Sequence, residues 1–260
     1  MSWDNYLYFA LPAIVMWVIA IVLILMKKSN RLFEAFALVG TLAFVSFVVL
    51  YWVSIERPPM RTMGETRLWF SLFIASIGYV TYRLWRYEYI FAFYLMLAIV
   101  FTCINIFKPE IHSKTLMPAL QSVWFIPHVT AYMLSYAMLG AATIMGIQLL
   151  IKKDLSNQQM LLSMDKLVYI GFGLIVLGML MGAVWAKEAW GHYWSWDPKE
   201  TWAFITVTAY LMFIHLRLQQ NKTRASIWVL LLAFVLLMIT WKGVNYLPSA
   251  KNSIHVYSKQ

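Results

Sequence analysis

The chain has 260 residues, 62% hydrophobic and 12% charged, with a formal net charge of +10. Soluble domains carry roughly 25% charged residues, so the composition excludes a water-soluble globular domain and describes an integral membrane protein with no length to spare for a separate soluble one. The positive charge sits in short segments between apolar runs, where lysine and arginine anchor a chain to lipid headgroups of the bilayer; no basic face offers itself to nucleic acid.

A spanning helix needs about 20 apolar residues. Eight segments meet or approach this, at approximately 6–26, 33–54, 68–83, 89–107, 126–151, 167–185, 200–216 and 227–246. The first, inside "MSWDNYLYFALPAIVMWVIAIVLILMKK", has no basic n-region and outruns the roughly 7–15 residues of a signal h-region, so it is expected to span rather than be cleaved. The third, "LWFSLFIASIGYVTYR", is short, and the tight basic turn after it predicts a hairpin with the fourth. The single cysteine, Cys103, excludes an intrachain disulfide and reads as a small apolar residue. In the sixth segment, Gly178 and Gly182 have the small-xxx-small spacing that lets a neighbouring helix approach. Pro248 is expected to break the eighth.

An even number of spans puts both termini on one side. The basic residues divide almost evenly between the faces, but those around Lys27–Arg31, Arg83–Arg86, Lys152–Lys166 and Arg217–Arg224 lie in denser, shorter loops. The positive-inside rule therefore predicts these loops in the cytoplasm, with the termini and the connection 186–199 outside.

The five histidines are His112, His128, His192, His215 and His255. His128 is expected at the outer start of the fifth helix and His255 just beyond the outer end of the eighth. Between the sixth and seventh lies "WGHYWSWDPKETWAF", Trp190–Phe204. Asp197 and Pro198 read as an N-cap and first-turn proline, with Glu200 favourable near the positive helix end. That accounts for the charged residues but not for Trp185, Trp190, Trp194 and Trp196. Two imidazoles flanking a platform of flat rings suit a planar, apolar, metal-bearing ligand, and haem is such a ligand. His215 lies about 22 Å into the seventh helix, at ~1.5 Å per residue. There it is either a side chain bonded near the cytoplasmic edge beside Arg217 or a functional group. If it ligates a haem, the second axial ligand comes from another polypeptide. His192 reads as a surface or supporting residue, and His112, beside Glu110 and Lys114, as solvated.

The aromatic segment resembles the W-G-x-x-W-x-W-D-x-K-E signature of the tryptophan-rich WWD superfamily, the haem-handling proteins of cytochrome c biogenesis. The match is at Trp190, Gly191, Trp194, Trp196, Asp197, Lys199 and Glu200. With the motif between the sixth and seventh of eight helices, the chain is identified as a member of the CcsA/ResC family of system II; the CcmC family has six helices and the CcmF family is much larger. The resemblance is strongest over 120–258. There "VWFIPHVTAYMLSYAMLG", "FIHLR" and "GVNYLPSAKNSIHVY" are similar to the family's histidine segments and map them to His128, His215 and His255.

The resemblance implies an all-α membrane protein of about eight transmembrane helices. Residues 1–119 would hold helices 1–4, and 120–260 a haem-handling core with its WWD loop at 185–200. It implies haem b as the bound group, with His128, His255 and His215 on haem iron and Trp185, Trp190, Gly191, Tyr193, Trp194, Trp196 and Asp197 around the porphyrin. The implied activity is haem transport across the membrane and covalent attachment to the CXXCH cysteines of apocytochrome c, a holocytochrome c synthase acting with CcsB. The setting is the bacterial inner membrane or the plastid thylakoid membrane. The rival readings are a haem exporter or chaperone without ligase activity and a cytochrome b electron carrier, which usually needs paired histidines within its own helices.

Overall fold

The computed structural model describes residues 1–60, 62–113, 122–219, 221–241 and 243–248. Apart from two 3-10 turns, at Trp3–Asn5 and Gly243–Tyr246, the secondary structure described is α-helical. The chain forms two compact units, Met1–Leu116 and Met117–Gln260. The first holds α1 (Tyr6–Leu25), α2 (Asn30–Ile55), α3 (Met63–Trp85), α4 (Glu88–Phe107) and the single turn α5 (Glu110–Ser113). The second holds α6 (Phe125–Ile151), α7 (Gln158–Trp190), α8 (Pro198–Arg217) and α9 (Thr223–Trp241).

Among the described residues six helices are long and apolar enough to cross a membrane: α1, α2, α4, α6, α7 and α9. α3 and α8 have similar lengths, 23 and 20 residues, but more polar ends. Three boundaries differ from the hydropathy reading, the first two for a local reason. The third segment begins at Met63, not 68, because Thr62 and Glu65 form a capping box: the Glu65 N–H donates to Thr62 Oγ1 at 3.1 Å and the Thr62 N–H to Glu65 Oε2 at 3.2 Å. The sixth runs over 158–190 rather than 167–185. Asn157 accepts from the Met160 N–H at its start, and Gly191, at φ 84°, supplies the left-handed stop. The eighth ends at Trp241 rather than 246.

In the first unit α1 packs on α2 and α4, and α3 on α4, around fully buried Trp17, Phe33, Phe44, Phe47, Tyr82 and Phe91. The carboxylate of Glu65 is buried and paired bidentately with Arg57 at 2.8 and 3.0 Å, as a charge removed from water requires. His112, expected to be solvated, is not. Its ring stacks on Trp3 with centroids 3.7 Å apart, its Nε2–H donates to the Asn105 carbonyl at 2.9 Å, and burial lowers its pKa.

In the second unit α6 and α7 pack as an antiparallel pair. Ser135 Oγ donates to the Gly171 carbonyl at 2.7 Å and His128 Nδ1 to the Gly178 carbonyl at 2.7 Å. The partners are spaced by seven residues on each helix, so both bonds lie on one seam. Gly171 keeps the seam close, since a Cβ there would fall 2.8 Å from Leu139 Cγ. The C-terminal end of α8 is held by Arg217, whose guanidinium donates to both oxygens of Asp165 on α7 at 2.8 Å and to Thr223 at 3.2 Å. Removing one partner of a desolvated pair costs about 3–5 kcal/mol. Asp165→Ala is therefore expected to lower the thermal midpoint of the purified protein clearly, whereas Leu218→Ala, at an exposed position, leaves it within a degree or two.

Candidate functional site

One end of the second unit gathers the start of α6, the end of α7, the start of α8 and the end of α9. His128 lies in the first turn of α6 and points its ring at α7. A carbonyl oxygen can only accept, so Nδ1 carries the proton in the 2.7 Å bond to Gly178, which makes Nε2 the ring atom suited to a metal. Gly182, one turn along α7, leaves the space: a Cβ there would sit 2.7 Å from both Nδ1 and Cε1 of His128. The glycine spacing read as a packing signal thus also seats the histidine. Around the ring are Tyr132, edge-on at 4.7 Å, and Trp185, tilted at 5.7 Å. Trp185 is buried and meets Trp190 at 4.8 Å and Phe125 at 5.8 Å.

Trp185 and Trp190 therefore stand on the last turns of α7, and the segment expected as a loop over 185–200 is non-helical only over 191–197. Its fold follows from its polar residues. Gly191 ends α7, and Lys187 Nζ donates back to the Gly191 carbonyl at 2.8 Å while lying over the Tyr193 ring at 5.5 Å. Asp197 is the N-cap of α8, accepting from the Lys199 N–H at 3.0 Å, and Pro198 opens the helix, as the sequence suggests. Glu200 is buried and its Oε2 accepts from the Ser195 N–H at 2.8 Å, the Ser195 hydroxyl at 3.3 Å and the Asp197 N–H at 3.1 Å. Glu200→Ala orphans these donors at roughly 1–3 kcal/mol for each that stays buried. The expected result is fast proteolytic cleavage within 191–197 in protein whose helix content by circular dichroism matches the wild type.

This clamp holds Trp196 in a conformation that L-residues avoid. Its φ is 56°, a left-handed geometry that costs a non-glycine residue roughly 1–3 kcal/mol, and its indole is 63% exposed. Trp194 and Phe204 meet it edge-on, each at 5.8 Å. The Trp194 indole N–H is buried and donates to no atom among the described residues. The indoles thus fall into two groups, Trp185 with Trp190 beside His128, and Trp194 with Trp196 on the approach to α8. Tyr193 and His192 are exposed.

Below His128 the floor of the site steps down. Tyr132 meets Tyr136 at 5.6 Å, and Tyr136 meets Trp241, the last residue of α9, at 5.7 Å. Tyr136 is eight residues from His128, about 12 Å along the helix, so Trp241 at the end of α9 packs about two turns below His128. The sequence reading singled out none of these three aromatics, although the i, i+4, i+8 spacing of His128, Tyr132 and Tyr136 places them on one face of α6.

His215 stands in the last turn of α8, on an exposed face, with Nδ1 donating to the Leu211 carbonyl at 2.8 Å. It shares with His128 a backbone bond at Nδ1, a common support for an imidazole that ligates metal. Arg217 bonds Asp165 and Thr223. His255 lies outside the described residues.

The family model described as "Cytochrome C assembly protein" matches residues 3–250. The cytochrome c biogenesis protein CcsA of Mesostigma viride is 30% identical, with 96% of this chain and 95% of that protein covered. CcsA of Cuscuta reflexa is 30% identical, covering 84% and 83%, and CcsA of Prochlorococcus marinus (strain MIT 9515) 29% identical, covering 85% and 83%. Among solved structures, the chain called cytochrome c heme lyase CcmF superposes with a TM-score of 0.67 over 95% of this chain at 16% identity; the present chain spans about half its length. That likeness concerns the fold.

Proposed function

We propose, from the premise that this chain belongs to the cytochrome c assembly protein family and is a CcsA-type membrane protein of the haem-handling WWD superfamily, that it carries haem b across the membrane and joins it to apocytochrome c. The observation that supports this most strongly is the seating of His128. Its tautomer is fixed by the Gly178 carbonyl, its ring is lodged over Gly182, and it stands beside the indole of Trp185. The buried Trp194 N–H adds a donor suited to a ligand that bears carboxylates. These residues fit a porphyrin: imidazole for its iron, ring faces and edges for its plane, a donor for its rim.

In this reading eight helices cross the membrane of a bacterial cell or a thylakoid, and the segment 191–197 faces outward. Residues 120–260 form the haem-handling core. His128 and His255 are the axial ligands of the outer site. Trp185, Trp190, Tyr193, Trp194 and Trp196 hold the macrocycle, while Gly191 and Asp197 keep their segment in shape. His215, exposed near the end of α8, offers one imidazole at the other end of the unit, and the membrane partner CcsB supplies the second ligand there.

Haem is the substrate, and what it brings is two vinyl groups. A cysteine thiol of the CXXCH motif adds across each vinyl: a C–S bond forms at one carbon, the thiol proton goes to the other, and no electrons are gained or lost. The protein contributes position. Holding vinyl and thiol together makes a bimolecular step effectively unimolecular, and the clamp at Glu200 keeps the aromatic walls in place. The test is co-expression of the chain with CcsB and an apocytochrome c in a host lacking other maturation systems. Covalent haem on the acceptor is expected; haem retained by the chain with none attached supports the exporter or chaperone reading instead.

A further inference from the structure

The first unit has a groove that the haem reading does not use. It is lined by Ala37, Leu38 and Thr41 of α2, Ala75, Ser76, Tyr79 and Val80 of α3, and Phe91 of α4, with a volume of about 160 Å³. It arises because α2 packs mainly on α1 and α3 mainly on α4, which leaves a seam between α2 and α3 faced by small residues. Leu38, Ser76 and Val80 are exposed, so the seam opens at the protein surface.

One end of the groove carries two arginines tied to its walls. Arg83 Nη1 donates to the Tyr79 hydroxyl at 3.1 Å, and Tyr79 is itself a wall residue. Arg86 Nη1 donates to the Tyr82 hydroxyl at 3.3 Å, and Tyr82 stacks on the wall residue Phe91 at 5.3 Å. Glu34 lies between the guanidiniums at 3.3 and 3.4 Å and can neutralise only one of the two charges. Both arginines are about half exposed, at 51% and 56%. Lys27, Lys28 and Arg31, in and beside the turn between α1 and α2, precede Glu34 by no more than two helical turns.

We propose that this groove is a binding site for an anionic glycerophospholipid, one acyl chain lying between α2 and α3 and the phosphate resting on Arg83 and Arg86. Size and charge together select this occupant. An apolar cavity of about 150 Å³ accommodates a benzene ring, so the groove accepts a run of a few methylenes and is too small for a porphyrin. The unneutralised guanidinium charge at its mouth favours a headgroup with net negative charge over a zwitterionic one. Leu38 and Val80 at the opening give the chain an apolar entry from the surrounding acyl phase.

The test uses the full chain purified in detergent and titrated with equal mixtures of phosphatidylglycerol and phosphatidylcholine of matched acyl chains, bound lipid being counted by native mass spectrometry. The wild type is expected to retain phosphatidylglycerol over phosphatidylcholine by about fivefold, given one uncompensated basic charge at the phosphate. Arg83→Ala with Arg86→Ala brings the two lipids to parity. Ser76→Phe, at an exposed wall position, fills the groove and lowers retention of both. Parity in the wild type overturns the proposal. So does selectivity that survives the double substitution, or retention that survives Ser76→Phe in protein with a wild-type thermal midpoint. Haem attachment by these variants is a separate readout, so failure here leaves the proposed function untouched.

Discussion

His128→Ala in the full chain should cut the haem that co-purifies with it by more than about tenfold, the lower bound usual when even a support of a metal ligand is lost. Covalent haem on a co-expressed apocytochrome c should fall with it. The imidazole is held on two sides, by the Gly178 carbonyl and by the surface over Gly182, and an alanine reproduces neither the bond nor a ligand atom. His192→Ala is the matched control: His192 is in the motif segment, but its side chain is exposed, and haem content and maturation should remain at wild-type levels. Equal losses in the two variants would mean that the segment needs only its general integrity. Unchanged haem in His128→Ala would remove His128 from the site.

Gly182→Val should have nearly the same consequence without touching the imidazole. A Cβ at 182 falls 2.7 Å from two ring atoms of His128, well inside van der Waals contact, and valine adds two methyls beyond it. The ring must rotate away, which breaks the 2.7 Å bond to Gly178 and frees the tautomer it fixed. Loss of such a support lowers metal affinity by about 10–100-fold, and haem retention is expected to fall within that range while circular dichroism stays that of a helical protein. Gly173→Val, on the same helix where a Cβ would meet nothing within 4 Å, is expected to bind haem normally. A Gly182→Val protein that holds haem as well as Gly173→Val would show that the orientation of His128 does not matter.

The helices were legible because lipid demands it. A chain that crosses hydrocarbon must satisfy its backbone internally and cover it with apolar side chains, so each of the eight apolar segments is α-helical over most of its expected range. The ends were less legible. α3 and α7 run past their apolar windows because caps and glycine stops, not hydropathy, end a helix: Thr62 with Glu65 at one, Asn157 and Gly191 at the other. For the same reason Trp185 and Trp190 read as loop residues and are helical. The motif signalled a site and its capping carboxylates, yet not the left-handed backbone of Trp196, since nothing in a tryptophan announces a conformation it disfavours. Contacts across long separations were out of reach altogether. His112 stacks on Trp3 from the other end of the first unit, and Gly182 makes room for a histidine 54 residues earlier; neither leaves a periodic trace.

Two imidazoles of this chain gripping one haem at the aromatic end of the second unit would leave a spectroscopic signature. The most direct measurement is low-temperature electron paramagnetic resonance of the haem-loaded, oxidised full chain beside its His255→Ala variant, both carrying His215→Ala so that only the outer site contributes. The expected result is a low-spin bis-imidazole signal in the parent and a high-spin signal in the variant, reverting to low spin when imidazole is added. The same low-spin signal in both proteins would remove His255 from the haem.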